Sequence, residues 1–160
     1  MSKTPDGPPF HKLFATKTIS ISAKATTQTE VLQLLTDLAV KGGGLAEDRR
    51  AAVLKALIAR EEIGSTGIGV GIAIPHVKTD DVSETVAALC VTQTPVDFRA
   101  VDGEPCDLFI LMLSPKDQAE KHLEVLRWLS KLVRNTDFCR FLRASNTSRE
   151  AVSLFKEMSE

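Results

Sequence analysis

The sequence predicts an α/β fold in which a mixed β-sheet is covered by helices on both faces. Three observations carry the prediction. Helical periodicities stand both before and after a central cluster of strand-length apolar runs, so helices are available to each face. Tight-turn signals join only some of those runs, which mixes parallel with antiparallel pairing. At 160 residues the chain is long enough to bury one sizeable core without disulfides or metals. The expected element order is β-α-α-β-β-β-α-α-α.

The elements follow in turn. Ile19 and Ile21 alternate with Thr18, Ser20 and Ser22, the period of a half-buried strand. Thr27-Gln28-Thr29-Glu30 reads as a capping box, and Val31, Leu34, Leu35 and Leu38 continue at helical spacing until Gly42-Gly43-Gly44. A second helix is expected over Glu47 to Glu62, burying Val53, Leu54, Leu57 and Ile58 while Arg49, Arg50 and Lys55 stay in water. Ile72-Ala73-Ile74 is a short apolar strand, and Val86 to Val91 and Leu108 to Leu113 are longer ones. Val96-Asp97-Phe98 and Asp102-Gly103 mark a reversal between those two. Beyond Ser114-Pro115, a helix over Gln118 to Arg134 buries Val125, Leu126, Leu129, Leu132 and Val133. Two shorter helices close the chain, near Asp137 to Arg143 and from Ser148, the latter opened by the capping box Thr147-Ser148-Arg149-Glu150.

Composition excludes several function classes. A net charge of −1 with both signs interspersed advertises no nucleic acid or anionic membrane as partner. The three cysteines, Cys90, Cys106 and Cys139, are odd in number and set among apolar residues, which suits reduced thiols. No apolar run reaches the ~18 residues of a membrane span, and MSKTPDGPPFHK has no signal-peptide character. These features point to a soluble cytoplasmic protein with no membrane insertion.

The chemistry concentrates around GSTGIGVGIAIPH, residues 64–76, where four glycines lead up to one histidine. Gly67-Ile68-Gly69-Val70-Gly71 fails the dinucleotide fingerprint in spacing and in context, and no P-loop lysine follows. Glycine amides can still approach an anion closely, so Ser65, Thr66 and Gly67 form a candidate phosphate cradle. The alternative is a tight turn whose glycines satisfy positive φ, and the stretch alone does not choose between them. Of the three histidines, His11 suits a solvated surface position. His76 follows Pro75, whose ring fixes the local backbone, and His122 lies in the first turns of its helix above Val125, Leu126 and Leu129. Neither has metal-ligand spacing or a GxSxG nucleophile elbow nearby. Taken singly, either histidine is more often structural than catalytic. A histidine beside a phosphate-friendly loop nevertheless suits attack by neutral imidazole on a phosphoryl group, with Arg60 as a charge-stabilising cation.

Arg60-Glu61, Gly64-Ser65-Thr66-Gly67-Ile68-Gly69 and Gly71-Ile72-Ala73-Ile74-Pro75-His76 closely resemble the signature of fructose/mannitol-type enzyme IIA domains of the bacterial phosphoenolpyruvate-dependent phosphotransferase system, above all the nitrogen-regulatory branch. The likeness continues through Thr94-Pro95-Val96-Asp97-Phe98, Asp102-Gly103-Glu104-Pro105-Cys106-Asp107-Leu108 and His122-Leu123, from about Leu13 onward. The resemblance implies a domain over residues 13–160, behind a mobile tail at 1–12, folded as a three-layer α/β/α sandwich. It implies that His76 accepts a phosphoryl group from an HPr-like phosphocarrier, that His122 lies beside it, and that Arg60 borders the site. A IIB component or a regulatory target would be the acceptor, and no metal or organic cofactor is expected. Regulation by phosphorylation state is the leading reading. A sugar-specific relay to a IIB component and a non-catalytic binding module of the same fold are the alternatives. The chain departs from the family at Val77-Lys78, where members commonly have Gly-Lys, and Val77 is expected to alter the rim that a partner meets.

Overall fold

A computed structural model describes residues 10–158. Five α-helices and six strands appear in the order β-α-α-β-β-β-β-β-α-α-α. The fold class is the one expected, with two more strands than the sequence reading supplies. The elements are β1 (Ile19–Ala23), α1 (Gln28–Lys41), α2 (Arg50–Ile63), β2 (Gly67–Gly69), β3 (Ile72–Ala73), β4 (His76–Lys78), β5 (Val86–Val96), β6 (Cys106–Ser114), α3 (Ala119–Val133), α4 (Thr136–Ala144) and α5 (Ser148–Met158). The capping box ahead of α1 forms as read: the Glu30 amide donates to Thr27 Oγ1 at 3.1 Å and the Thr27 amide to Glu30 Oε1 at 3.2 Å. The second helix differs at its start, where Glu47–Arg49 is a 3-10 turn before α2.

The sheet runs β1-β5-β6-β3-β2, with β4 also on β6. β1 lies parallel to β5, β5 antiparallel to β6, and β3 and β4 both parallel to β6. Period-two alternation sorts the side chains into two cores. Phe109, Leu111 and Leu113 of β6 face the α1–α2 layer with Val31, Leu35, Val53 and Leu57. Leu108, Ile110 and Met112 face the α3–α5 layer with Val125, Leu129, Phe138 and Phe155. This is the three-layer arrangement.

The tail expected at 1–12 falls mostly on residues 1–9, outside the described residues. Phe10–Leu13 forms a 3-10 turn, with the Phe10 ring 5.7 Å from that of Trp128. Phe14 stacks on Phe155 at 4.0 Å and carries the chain into β1. Among the described residues no helix is long and apolar enough to cross a membrane. Cys90, Cys106 and Cys139 are free and buried, and burial pushes the Cys90 thiol up to about 12.

Candidate functional site

The glycine-rich stretch is a β-hairpin. β2 and β3 are antiparallel, and the turn between them has positive φ at both central residues, Val70 at 53° and Gly71 at 80°. A β-branched residue is strained there. Its peptide is held from both sides: the Val70 amide donates to Asp102 Oδ2 at 3.1 Å, and its carbonyl accepts from Arg143 Nη2 at 3.0 Å.

β3 and β4 are one strand interrupted at Ile74-Pro75. Ile72 pairs with Leu108 and His76 with Met112, so the register on β6 is unchanged across the break. Inside the break the Ile74 amide turns to the Thr66 carbonyl at 3.0 Å, while the Pro75 carbonyl accepts from the Met112 amide at 2.9 Å. The side chain of His76 therefore emerges on the α3 side of the sheet at its edge. There the His76 Nδ1–H donates to the Ile74 carbonyl at 2.6 Å. A carbonyl only accepts, so a neutral His76 carries its proton on Nδ1 and leaves the Nε2 lone pair open.

His122 stands on the first turn of α3, its ring centroid 5.7 Å from that of His76. It is 5 % exposed, and its Nδ1 lies 2.7 Å from Ser114 Oγ at the end of β6. Burial, the neighbouring His76 and Lys78 lower its pKa to about 4. His76 is also lowered, chiefly by burial, with Arg60 pushing the same way and the Ile74 hydrogen bond and Glu61 opposing. Both imidazoles are thus neutral at neutral pH. Arg60, in the last turn of α2, donates from Nη1 to the Gly64 carbonyl at 2.7 Å and brings its positive charge to bear on His76.

The structure brings His76, His122 and Arg60 together, while the polar groups expected to form a cradle at Ser65, Thr66 and Gly67 bond within the protein. Ser65 Oγ donates to the Phe98 carbonyl at 2.5 Å and accepts the Gly67 amide at 2.9 Å. Thr66 gives its amide and its hydroxyl to the Glu61 carboxylate, at 3.0 and 2.5 Å. A Cβ on Gly67 would meet Ala100 Cβ at 2.7 Å, so this glycine serves close packing. The two hydroxyls and the Thr66 and Gly67 amides thus hold the hairpin in place. Val77 likewise points away from the site, because strand alternation sends it to the α1–α2 core.

Two polar residues of the site escape a reading of the sequence: Ser114, which orients His122, and Glu61, a carboxylate only 8 % exposed. The signals were a hydroxyl ending an apolar strand and an acid inside an amphipathic helix, and neither names its distant partner. Among the described residues no cluster of three or more His, Cys, Asp and Glu could hold a metal ion. A cavity of about 500 Å³ between the β2–β3 hairpin and α3–α4, lined by Val70, Val133, Arg134 and Arg143 among others, includes neither histidine.

Comparison with known proteins follows this geometry. Residues 12–158 match the family model for the phosphoenolpyruvate-dependent sugar phosphotransferase system, EIIA 2. The chain is 36 % identical over 132 residues to a nitrogen regulatory protein of Klebsiella oxytoca, covering 82 % of this chain and 80 % of that one. It is 34 % identical over 142 residues to the fructose-specific EIIA component of the phosphotransferase system of Haloferax volcanii, covering 89 % and 91 %. The crystal structure of nitrogen regulatory protein IIA-Ntr from Neisseria meningitidis superposes with a TM-score of 0.82 at 28 % identity, over 91 % of this chain and 97 % of that one.

Proposed function

Because the chain belongs to the EIIA 2 family of the phosphoenolpyruvate-dependent sugar phosphotransferase system, we propose that it is a phosphocarrier that takes a phosphoryl group from an HPr-like protein onto His76 Nε2 and regulates partners by its phosphorylation state. The observation that carries this reading is the 2.6 Å bond from His76 Nδ1 to the Ile74 carbonyl, which leaves Nε2 as the nucleophile. The Nε2 lone pair attacks phosphorus, the N–P bond of the donor's phosphohistidine breaks, and its electron pair returns to the donor's imidazole. Nδ1 keeps its proton throughout, and the Ile74 carbonyl stabilises the positive charge that grows on the ring. Such a transfer asks for positioning and charge stabilisation more than for protein covalent chemistry.

His122 supplies a neutral donor. With Ser114 donating its hydroxyl proton to Nδ1, the Nε2–H of His122 is free to meet a phosphoryl oxygen. Arg60 adds positive charge at the other side of His76. Leu123, 50 % exposed beside His122, gives a docking protein an apolar contact. Roughly two negative charges then arrive on a half-buried edge and change which partner surfaces can dock.

Incubation with enzyme I, HPr and labelled phosphoenolpyruvate should give an acid-labile phosphoprotein, and His76→Ala should abolish the label. Label that persists in His76→Ala, or a wild-type protein that never labels, refutes the assignment. The likeness to a fructose-specific EIIA component favours a second reading, relay to a IIB component and then to a sugar. Rapid loss of label to a purified IIB protein would establish that relay in place of regulation.

A further inference from the structure

The positioning of His76 reaches further than its own turn. A continuous hydrogen-bonded chain runs from α2 to the imidazole, and its far end is a buried carboxylate. Glu61 Oε1 accepts the Thr66 amide at 3.0 Å and Gln28 Nε2 at 3.4 Å, while Oε2 accepts the Thr66 hydroxyl at 2.5 Å. The Thr66 carbonyl receives the Ile74 amide at 3.0 Å, and the Ile74 carbonyl receives His76 Nδ1–H at 2.6 Å. Resting on the phosphocarrier reading above, we propose that Glu61 is a positioning residue: acting through Thr66 and Ile74, it aims the carbonyl that selects the Nδ1–H tautomer of His76 and so exposes the nucleophilic Nε2.

The geometry makes the carboxylate necessary at that place. Thr66 and Ile74 lie just outside the β2–β3 pairing, as the open end of the hairpin. Ile74 sits in the break between β3 and β4, its amide facing β2 and extending the hairpin ladder by the bond to Thr66. Without an anchor behind Thr66, the carbonyl of Ile74 is free to tilt. The anchor is on α2, where the Glu61 carboxylate accepts hydrogen bonds from Thr66 and Gln28. The Thr66 hydroxyl bond is the short one, and with the Thr66 amide it gives the carboxylate two contacts to one residue, the kind that fixes orientation. Two neighbouring residues of one helix thereby serve the site differently, Arg60 through its charge on His76 and Glu61 through the backbone that holds it.

The test reads the tautomer directly and needs no phosphoryl donor. In protein carrying nitrogen-15 histidine, the ring shifts of His76 report how its proton divides between Nδ1 and Nε2. In Glu61→Ala the ratio of Nδ1–H to Nε2–H should fall by about fivefold, what a net hydrogen bond of ordinary strength is worth. The His122 ring shifts should stay put, because Ser114, at the end of β6, holds that ring and takes no part in the chain from Glu61. Glu61→Gln, which keeps one acceptor for Thr66, should restore most of the wild-type ratio. If Glu61→Ala does not fold, Thr66→Val removes only the hydroxyl link and should move His76 in the same direction. A folded variant of either kind with unchanged His76 ring shifts overturns the proposal, even if its stability falls. Failure to label His76 would instead refute the phosphocarrier reading and leave the tautomer result intact.

Discussion

Replacing His122 by Gln should flatten the loss of stability on going from pH 7.5 to pH 5. The wild-type ring is buried, and its pKa falls from an ordinary 6.5 to about 4 in the folded protein. The sign follows from linkage: a base whose folded pKa is depressed binds fewer protons folded than unfolded, so acid favours the unfolded chain. The loss begins as pH drops through 6.5, grows down to about 4 and is complete below it. At roughly 1.4 kcal/mol per pKa unit, the ring would cost at most about 2 kcal/mol by pH 5; solvent at the edge of the site screens this to about 1 kcal/mol. His76 adds a loss of the same sign, which both proteins share. Carboxylates with lowered values, Glu30 and Asp102, start from 4.5 and 3.8 and titrate below this window. Urea unfolding at pH 7.5, 6 and 5 measures the difference. Identical pH slopes in wild-type and His122→Gln would refute the neutral buried ring.

Three further outcomes follow from the same structure. Arg60→Gln removes a charge that lowers His76, so the His76 titration followed by proton NMR should move up, while a downward shift would show that Arg60 acts otherwise. Gly71→Ala should destabilise the fold by about 1–3 kcal/mol in urea unfolding, because φ is +80° and the new Cβ meets Arg143 Nη2 at 2.8 Å. Thr27→Ala should cost about 1 kcal/mol by the same measurement, through loss of the α1 capping box, without changing phosphoryl labelling.

What the sequence made legible depended on how local each signal was. The capping box of α1, the β5 and β6 apolar runs and the helical stripes are written in residues within a few positions of one another, and all are found. β2 and β4 are not legible because three-residue strands, one rich in glycine and one opening on His76, carry no period of two long enough to read. At the site, the motif and its resemblance to a family named His76, His122 and Arg60. They did not reveal that Ser65 and Thr66 turn inward, since that depends on Phe98 and Glu61, which other elements bring up. The glycines leave an anion surface and a positive-φ turn equally open in the sequence; in the fold Gly71 makes the turn and Gly67 packs against Ala100.

The same alternation decides what the departure at Val77 means. In β4 successive side chains take opposite faces, so placing His76 toward α3 sends Val77 into the α1–α2 core. Val77 therefore does not reach the rim beside His76 with its own bulk. It pairs with Leu113 in the sheet and shares a core with Val53 and Leu57 of α2, the helix whose last turn bears Arg60 and Glu61. A larger side chain here fills the contact between β4 and α2, whose last turn carries Arg60 and Glu61. The residue after the histidine thus packs behind the sheet, against the core that includes the helix bearing Arg60 and Glu61, while His76 and the exposed Leu123 lie on the α3 side.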